Sequence, residues 1–218
     1  MMSSREQILG RLRQGKQAFP AISAPTTYQP MVPLNDVSPL ALQARFRQEA
    51  EKAGSVLHEV QTAAAAIEVV LQIVGEDTVI SSWEAAHIPL PGLAEALAKA
   101  SVRCVGQDAT VRVGLTGVDA ALAATGSVVV LSGNRRYRAA SLLPPIHIAV
   151  VAASQILPDL ESWWAAQKVA GLEKSRQHSN IVVITGPSRT ADIAMQLVMG
   201  MHGPRQLHLV LCKSQKEF

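Results

Sequence analysis

Two segments of this chain carry residue types that could hold a small anion. The first is Thr185-Gly186-Pro187-Ser188-Arg189-Thr190, which follows the apolar run 181–184 and leads into residues 191–199, where Ile193, Leu197 and Val198 recur at helical spacing. Strand, glycine turn and helix start in that order would offer free backbone N–H groups and a positive helix end to a phosphate or carboxylate. Ser188 and Thr190 would add hydroxyls, and Arg189 a guanidinium fork. The same residues have a plainer use, with Ser188 or Thr190 as the N-cap, Asp192 complementing the helix dipole and Arg189 facing water. Spacing alone does not separate the two. His202, in Gly200-Met201-His202-Gly203-Pro204, would close the far end of that helix, where helix termination is the competing explanation.

The second segment runs from Gly114 to Ser127, where glycine turns bracket a run of small residues expected to form a short helix over 118–123. Close approach of the backbone to a ligand or to a neighbouring helix would call for such glycines. Asp119 could accept hydrogen bonds from a sugar-like or pantetheine-like hydroxyl beside Thr125 and Ser127, or it could cap the helix; the cap is slightly favoured.

Other chemistry finds less support. Arg135, Arg136 and Arg138 form a basic loop, of which at least two should be solvated and one could meet an anion. The histidines at 58, 87, 147, 178, 202 and 208 lack metal-ligand spacing, so no metal is expected, and His147 and His208 fall in apolar strands where a core histidine is the commoner role. There is no phosphate loop ending in Gly-Lys-Ser/Thr, no Gly-x-Gly-x-x-Gly and no Gly-x-Ser-x-Gly. Cys104 and Cys212 are the two cysteines and are read as buried reduced thiols. An iron–sulfur cluster generally takes about four thiolates, so any cluster would sit on a partner. A formal charge of +3 is too small for the broad basic field of a nucleic-acid binder.

The elements that must position these residues alternate. Helices are expected at 39–53, 63–74, 93–100, 154–164 and 191–199, and strands at 55–60, 78–82, 102–105, 110–115, 127–132, 146–152, 181–184 and 207–212. The strands are continuous apolar runs, which calls for cover on both faces and hence an α/β three-layer α/β/α sandwich with a mostly parallel sheet. Residues 1–37 read as an N-terminal helix and a proline-rich linker, and 38–218 as one α/β domain. No apolar run is long enough to span a membrane and the first residues lack a secretory signal's apolar core, so the cytoplasm is the expected compartment. Trp163-Trp164 should place one indole in the core and one near the surface.

Several of these motifs occur in an order that resembles the LUD-domain family of lactate-utilisation proteins, C type. They are Gly114-Leu115-Thr116-Gly117-Val118-Asp119-Ala120, Ala124-Thr125-Gly126-Ser127, Ser141-Leu142-Leu143-Pro144-Pro145-Ile146-His147, and the two segments around Thr185 and His202. The resemblance is strong over the C-terminal half and one of layout before it. It implies a Rossmann-like fold similar to the ribose-phosphate isomerase, glucosamine-phosphate isomerase and CoA-transferase group. It also implies a role, beside two iron–sulfur-rich partner proteins, in oxidising L-lactate to pyruvate, with no cofactor on this chain. Thr125, Gly126, Thr185, Gly186, Ser188, Arg189, Thr190, Asp119 and His202 are the candidate ligand residues. The resemblance also marks one departure, because Ala124 stands where many members have an acidic residue. A stand-alone isomerase or CoA-transferase is the alternative, and would need Asp119 or Asp192 as its carboxylate.

Overall fold

The computed structural model describes residues 4–15, 31–172, 177–191 and 197–213. Its elements in chain order are α1 (Ser4–Gln14), α2 (Pro39–Lys52), β1 (Val56–Val60), α3 (Ala63–Val74), β2 (Val79–Ser82), α4 (Leu93–Lys99), β3 (Arg103–Val105), β4 (Val113–Gly117), β5 (Ala120–Leu122), β6 (Ser127–Ser132), α5 (Ala139–Leu142), β7 (Ile146–Ala152), β8 (Ile156–Leu157), α6 (Leu160–Val169), β9 (Asn180–Ile184), β10 (Arg189–Ala191), β11 (Leu197–Met199) and β12 (Gln206–Cys212). Helix α1 buries no residue. Much of the proline-rich connection falls at 16–30, outside the described residues.

Local chemistry explains the helices that build the core. Ser38 caps α2 through Ala41 N–H, Pro39 occupies its first position, and Leu42, Phe46 and Ala50 recur every fourth residue on its buried face. Thr62 caps α3, whose Ala66, Val70 and Val74 are buried at the same spacing. The larger of these side chains, Leu42, Phe46, Val70 and Val74, contribute roughly 1.5–3 kcal/mol each by leaving water.

Six strands form the central sheet in the order β1-β12-β7-β4-β2-β3, every pair parallel. Helices flank it, α3 against β12 and β1 and α5 against β4 and β7. This is the mostly parallel α/β sheet expected. A second sheet, β8-β5-β6-β9, is mixed, with β6 antiparallel to both neighbours. Strand β6 is buried throughout because Val128 and Val130 join the main core while Val129 and Leu131 meet Trp163 of α6 on the other side. Its unbroken apolar run thus reflects two covered faces, but in the second sheet and not the central one. Trp163 is buried and Trp164 half-buried, as expected.

Three helix expectations are corrected. Residues 120–122 form strand β5, because the ladder to Val128 and Val129 outweighs alanine's helix preference. Residues 153–155 make a single tight turn, followed by β8, before α6 begins at Leu160. At 191–199 the described ends are strands paired Arg189 to Met199, Thr190 to Val198 and Ala191 to Leu197, so residues 191 and 197–199 belong to an antiparallel pair and not to a helix.

Candidate functional site

The two Thr-Gly turns, 60 residues apart in sequence, meet in space. Ser127 Oγ lies 2.8 Å from Thr125 Oγ1 and 2.7 Å from Thr185 Oγ1, a chain of three hydroxyls. Their glycines serve helix α2. A Cβ on Gly126, at φ +66°, would overlap the backbone at Glu49 and Ala50, and one on Gly186, at φ +92°, would overlap the Ala53 carbonyl. The turns are therefore seats for the C-terminal end of α2. Arg189 belongs to the same junction, its Nη2 donating to Ala53 O at 2.8 Å.

This geometry corrects the premise of an anion site at a helix start. No helix start is present at 188–191 among the described residues, and Asp192 lies outside them. Ser188 N–H donates to Pro204 O, and His202 N–H donates to Ser188 Oγ at 3.3 Å, so Ser188 and His202 are joined through the turn after β11. Thr190 is a strand residue opposite Val198. Arg189→Ala is accordingly expected to lower stability by about 1 kcal/mol, the size of one helix C-terminal contact, and to leave ligand binding unchanged. Urea unfolding and a binding titration on the same variant check both halves.

A cavity of about 260 Å³ beside the hydroxyl chain is lined by Leu122, Ala124, Leu160 and Val183 together with Asp159 and Glu161. Ala124 itself brings no carboxylate there. The two nearby acids are engaged, Asp159 capping α6 through Ser162 N–H at 2.7 Å and Glu161 accepting from Met31 N–H at 3.2 Å.

The polar cleft lies elsewhere. Strand β4 runs through Val118 and Asp119 straight into β5, carrying the chain from the central sheet to the second one. Asp119 caps no helix; its Oδ2 accepts from Leu131 N–H at 2.8 Å and from Arg136 Nη2 at 2.6 Å. Leu131 stands four residues along β6 from Ser127, about 13 Å at the usual strand rise, so Asp119 is separate from the hydroxyl chain. Arg136 Nη1 donates to His178 Nε2 at 3.0 Å, and its guanidinium carbon sits 4.1 Å from the centre of the Trp83 ring. Arginine has only donors, so His178 accepts through Nε2.

The loop that presents Arg136 is fastened to the end of β2. Gly133 and Arg136 exchange both backbone hydrogen bonds, with Arg135 at φ +59° between them. Glu84 N–H donates to Arg135 O at 3.1 Å, Arg135 Nη1 pairs with Glu84 at 2.9 Å, and Trp83 Nε1 donates to Tyr137 O at 3.2 Å. These contacts offset the roughly 1–2 kcal/mol cost of a left-handed non-glycine residue. His87, Asp119, Asn134, Arg136, Gln177 and His178 line a cleft of about 440 Å³. A guanidinium fork, a carboxylate, two imidazoles and two amides there can orient a polar anion by hydrogen bonding.

Of the three arginines in this loop, Arg136 is the one turned inward, while Arg135 and Arg138 are exposed. His87 and His178 line the cleft and Trp83 lies behind Arg136, although their sequence spacing gives no sign of it. His147 is a core residue, fully buried with its Nε2 2.9 Å from Thr116 Oγ1. His208 is half-buried and stacks on His58, ring centres 5.3 Å apart. Cys212 is buried, but Cys104, on the edge strand β3, is exposed, which corrects the expectation of two buried thiols. Among the described residues no group of three or more His, Cys, Asp or Glu is placed to hold a metal ion, and no helix is long and apolar enough to cross a membrane.

Residues 93–212, more than half of the chain, match the family model for the LUD domain. The chain belongs to the LUD-domain family. Among its curated LUD-domain relatives, Lactate utilization protein C of Halalkalibacterium halodurans is 41% identical over 92 residues, covering 42% of this chain and 40% of the relative. Lactate utilization protein C of Shouchella clausii is 34% identical over 149 residues, covering 64% of each. The match thus spans less than two thirds of either relative. A crystal structure of a DUF162 family protein from Deinococcus radiodurans superposes with a TM-score of 0.57 at 21% identity, covering 81% of this chain and 99% of that one. It shows the same fold for this LUD-domain chain.

Proposed function

We propose that this chain is a subunit of a system that oxidises L-lactate to pyruvate in the cytoplasm. In this reading it holds a small carboxylate, while iron–sulfur centres on partner proteins accept the two electrons and two protons leave to water. Family membership, with relatives named Lactate utilization protein C, is the observation that carries it. The cysteine content supports the division of labour, since Cys104 and Cys212 fall short of the four thiolates an ordinary cluster needs. The cleft adds a place where a polar anion can be oriented without covalent chemistry.

Deleting the gene in its own host is expected to abolish growth on L-lactate while growth on pyruvate continues. The tagged chain, isolated from lactate-grown cells, should bring cysteine-rich proteins and lactate-dependent dye reduction that the isolated chain lacks. Normal growth of the deletion strain on L-lactate, or a chain that reduces the dye unaided, would overturn the proposal.

A further inference from the structure

We propose that the cleft of Arg136, Asp119, His87 and His178 is the ligand site, and that it takes a small carboxylate bearing a hydroxyl or keto oxygen on the adjacent carbon. The choice of L-lactate as a probe rests on the function proposed above; the assignment of the cleft rests on geometry.

Position is the first argument. In chain order the central sheet grows outward from β2 to the edge strand β3, then returns to place β4 on the other side of β2. Neighbouring connections diverge at that point, and a crevice opens beyond the carboxyl ends of the strands, where open α/β sheets bind their ligands. Trp83, Glu84 and His87 follow β2 directly, and Asp119 follows β4. The cleft stands at this switch point, whereas the Thr185 turn follows a strand of the second sheet.

Presentation is the second. The side chains of Arg136 and Asp119 are only 12% and 21% exposed, so they form an ion pair at the inner end of the cleft, away from open solvent. The Trp83 ring fixes the guanidinium plane, Asp119 holds Nη2 and His178 holds Nη1. Each terminal nitrogen carries two N–H groups, so one on each is left to donate to a ligand carboxylate. A positioned fork of this kind is already arranged for a planar anion and loses little freedom on binding.

Composition decides the ligand class. Arg136 and Asp119 cancel in charge, and the remaining lining is imidazole and amide. Among the described residues, a dianionic phosphate would meet one guanidinium and the repulsion of Asp119, without the ring of backbone N–H groups that cradles phosphate. A monocarboxylate on Arg136 places its C2 substituent beside Asp119 and the two histidines. A hydroxyl there can donate to Asp119, and a keto oxygen can accept from an imidazole N–H. A plain carboxylate offers the site nothing at that position. A volume of about 440 Å³ holds a three-carbon acid with ordered water around it.

Titration calorimetry of the full chain with L-lactate, pyruvate, propionate and inorganic phosphate tests the assignment. L-Lactate or pyruvate should saturate one site at millimolar concentration, with propionate and phosphate at least about tenfold weaker, the value of one lost hydrogen bond. Arg136→Lys should weaken the better acid at least about tenfold, because a point charge cannot replace a planar fork. His87→Ala, at an exposed position outside the core, should weaken it several-fold with an unchanged melting temperature. If Arg136→Lys fails to fold, His87→Ala and Asn134→Ala decide the matter. Phosphate binding tighter than either acid, neither acid saturating, or wild-type affinity in the folded variants would overturn the proposal. A chain needed for growth on lactate whose cleft takes neither acid would remove the cleft assignment alone; a cleft that binds in a host growing normally without the chain would remove the function alone.

Discussion

Gly126→Ala is expected to cost this protein roughly 2–5 kcal/mol, a large fraction of the stability of an ordinary domain. Gly126 is buried at φ +66°, a conformation that costs an L-residue roughly 1–2 kcal/mol. The added methyl would also lie 2.6 Å from Ala50 Cα and closer still to Ala50 N. Those atoms are helix backbone and cannot rotate away, so overpacking adds a further ~1–3 kcal/mol. Gly171→Ala is the control, since it shares the positive φ at +76° but has open space around it. Urea unfolding of the two variants should separate them by the overpacking cost; equal losses would show that α2 can shift off its seat.

Acid is expected to weaken the fold through His147. Burial lowers its pKa from 6.5 to about 4. The unfolded chain therefore takes up this proton at higher pH than the folded one. The contribution is complete above pH 6.5 and is lost as the pH falls toward 4, about 3 kcal/mol over the whole interval. Burial lowers His58 and His208 as well, with the charge of His58 adding to the effect on His208, so both act in the same direction. His147→Gln keeps a polar side chain near Thr116 and removes the titration. Unfolding free energies measured from pH 7.5 down to 4.5 should fall less steeply in this variant; an unchanged slope would place the acid sensitivity elsewhere.

The sequence was most informative where a local rule and a tertiary need agree. Ser38, Pro39 and the Leu42, Phe46, Ala50 spacing specify α2 because capping and burial point the same way. It is least informative at 118–123 and at the described ends of 191–199, where the spacing favours a helix but antiparallel pairing with nearby residues, Ala120 with Val129 and Ala191 with Leu197, decides the outcome. The candidate site followed the same division. Thr125 and Thr185 stand in similar Thr-Gly turns in the sequence and do meet, yet their glycines and Arg189 serve the end of a helix. Asp119 and the Arg135–Arg138 loop stand out in the sequence as separate features. Nothing in their spacing shows that a tight turn after β6 brings Arg136 back to Asp119, or that Trp83 lies beneath it. Such a cluster comes from four separate stretches of chain, and no periodicity records it.

Where recognisable similarity begins is not where the molecule can be cut. The family match starts at residue 93, after α2, β1 and β2. Yet β12 zips along β1 from His208 to Cys212, and β4 lies against β2. Gly126, Gly186 and Arg189 close on a helix that the matched stretch leaves out. A fragment trimmed to 93–212 would have a bared strand on one side of β12, a gap between β3 and β4, and an empty groove where α2 docks. Such surfaces invite association between chains. Truncated versions are therefore poor reagents for judging what the protein binds, and α2, β1, α3 and β2 belong in any expression design.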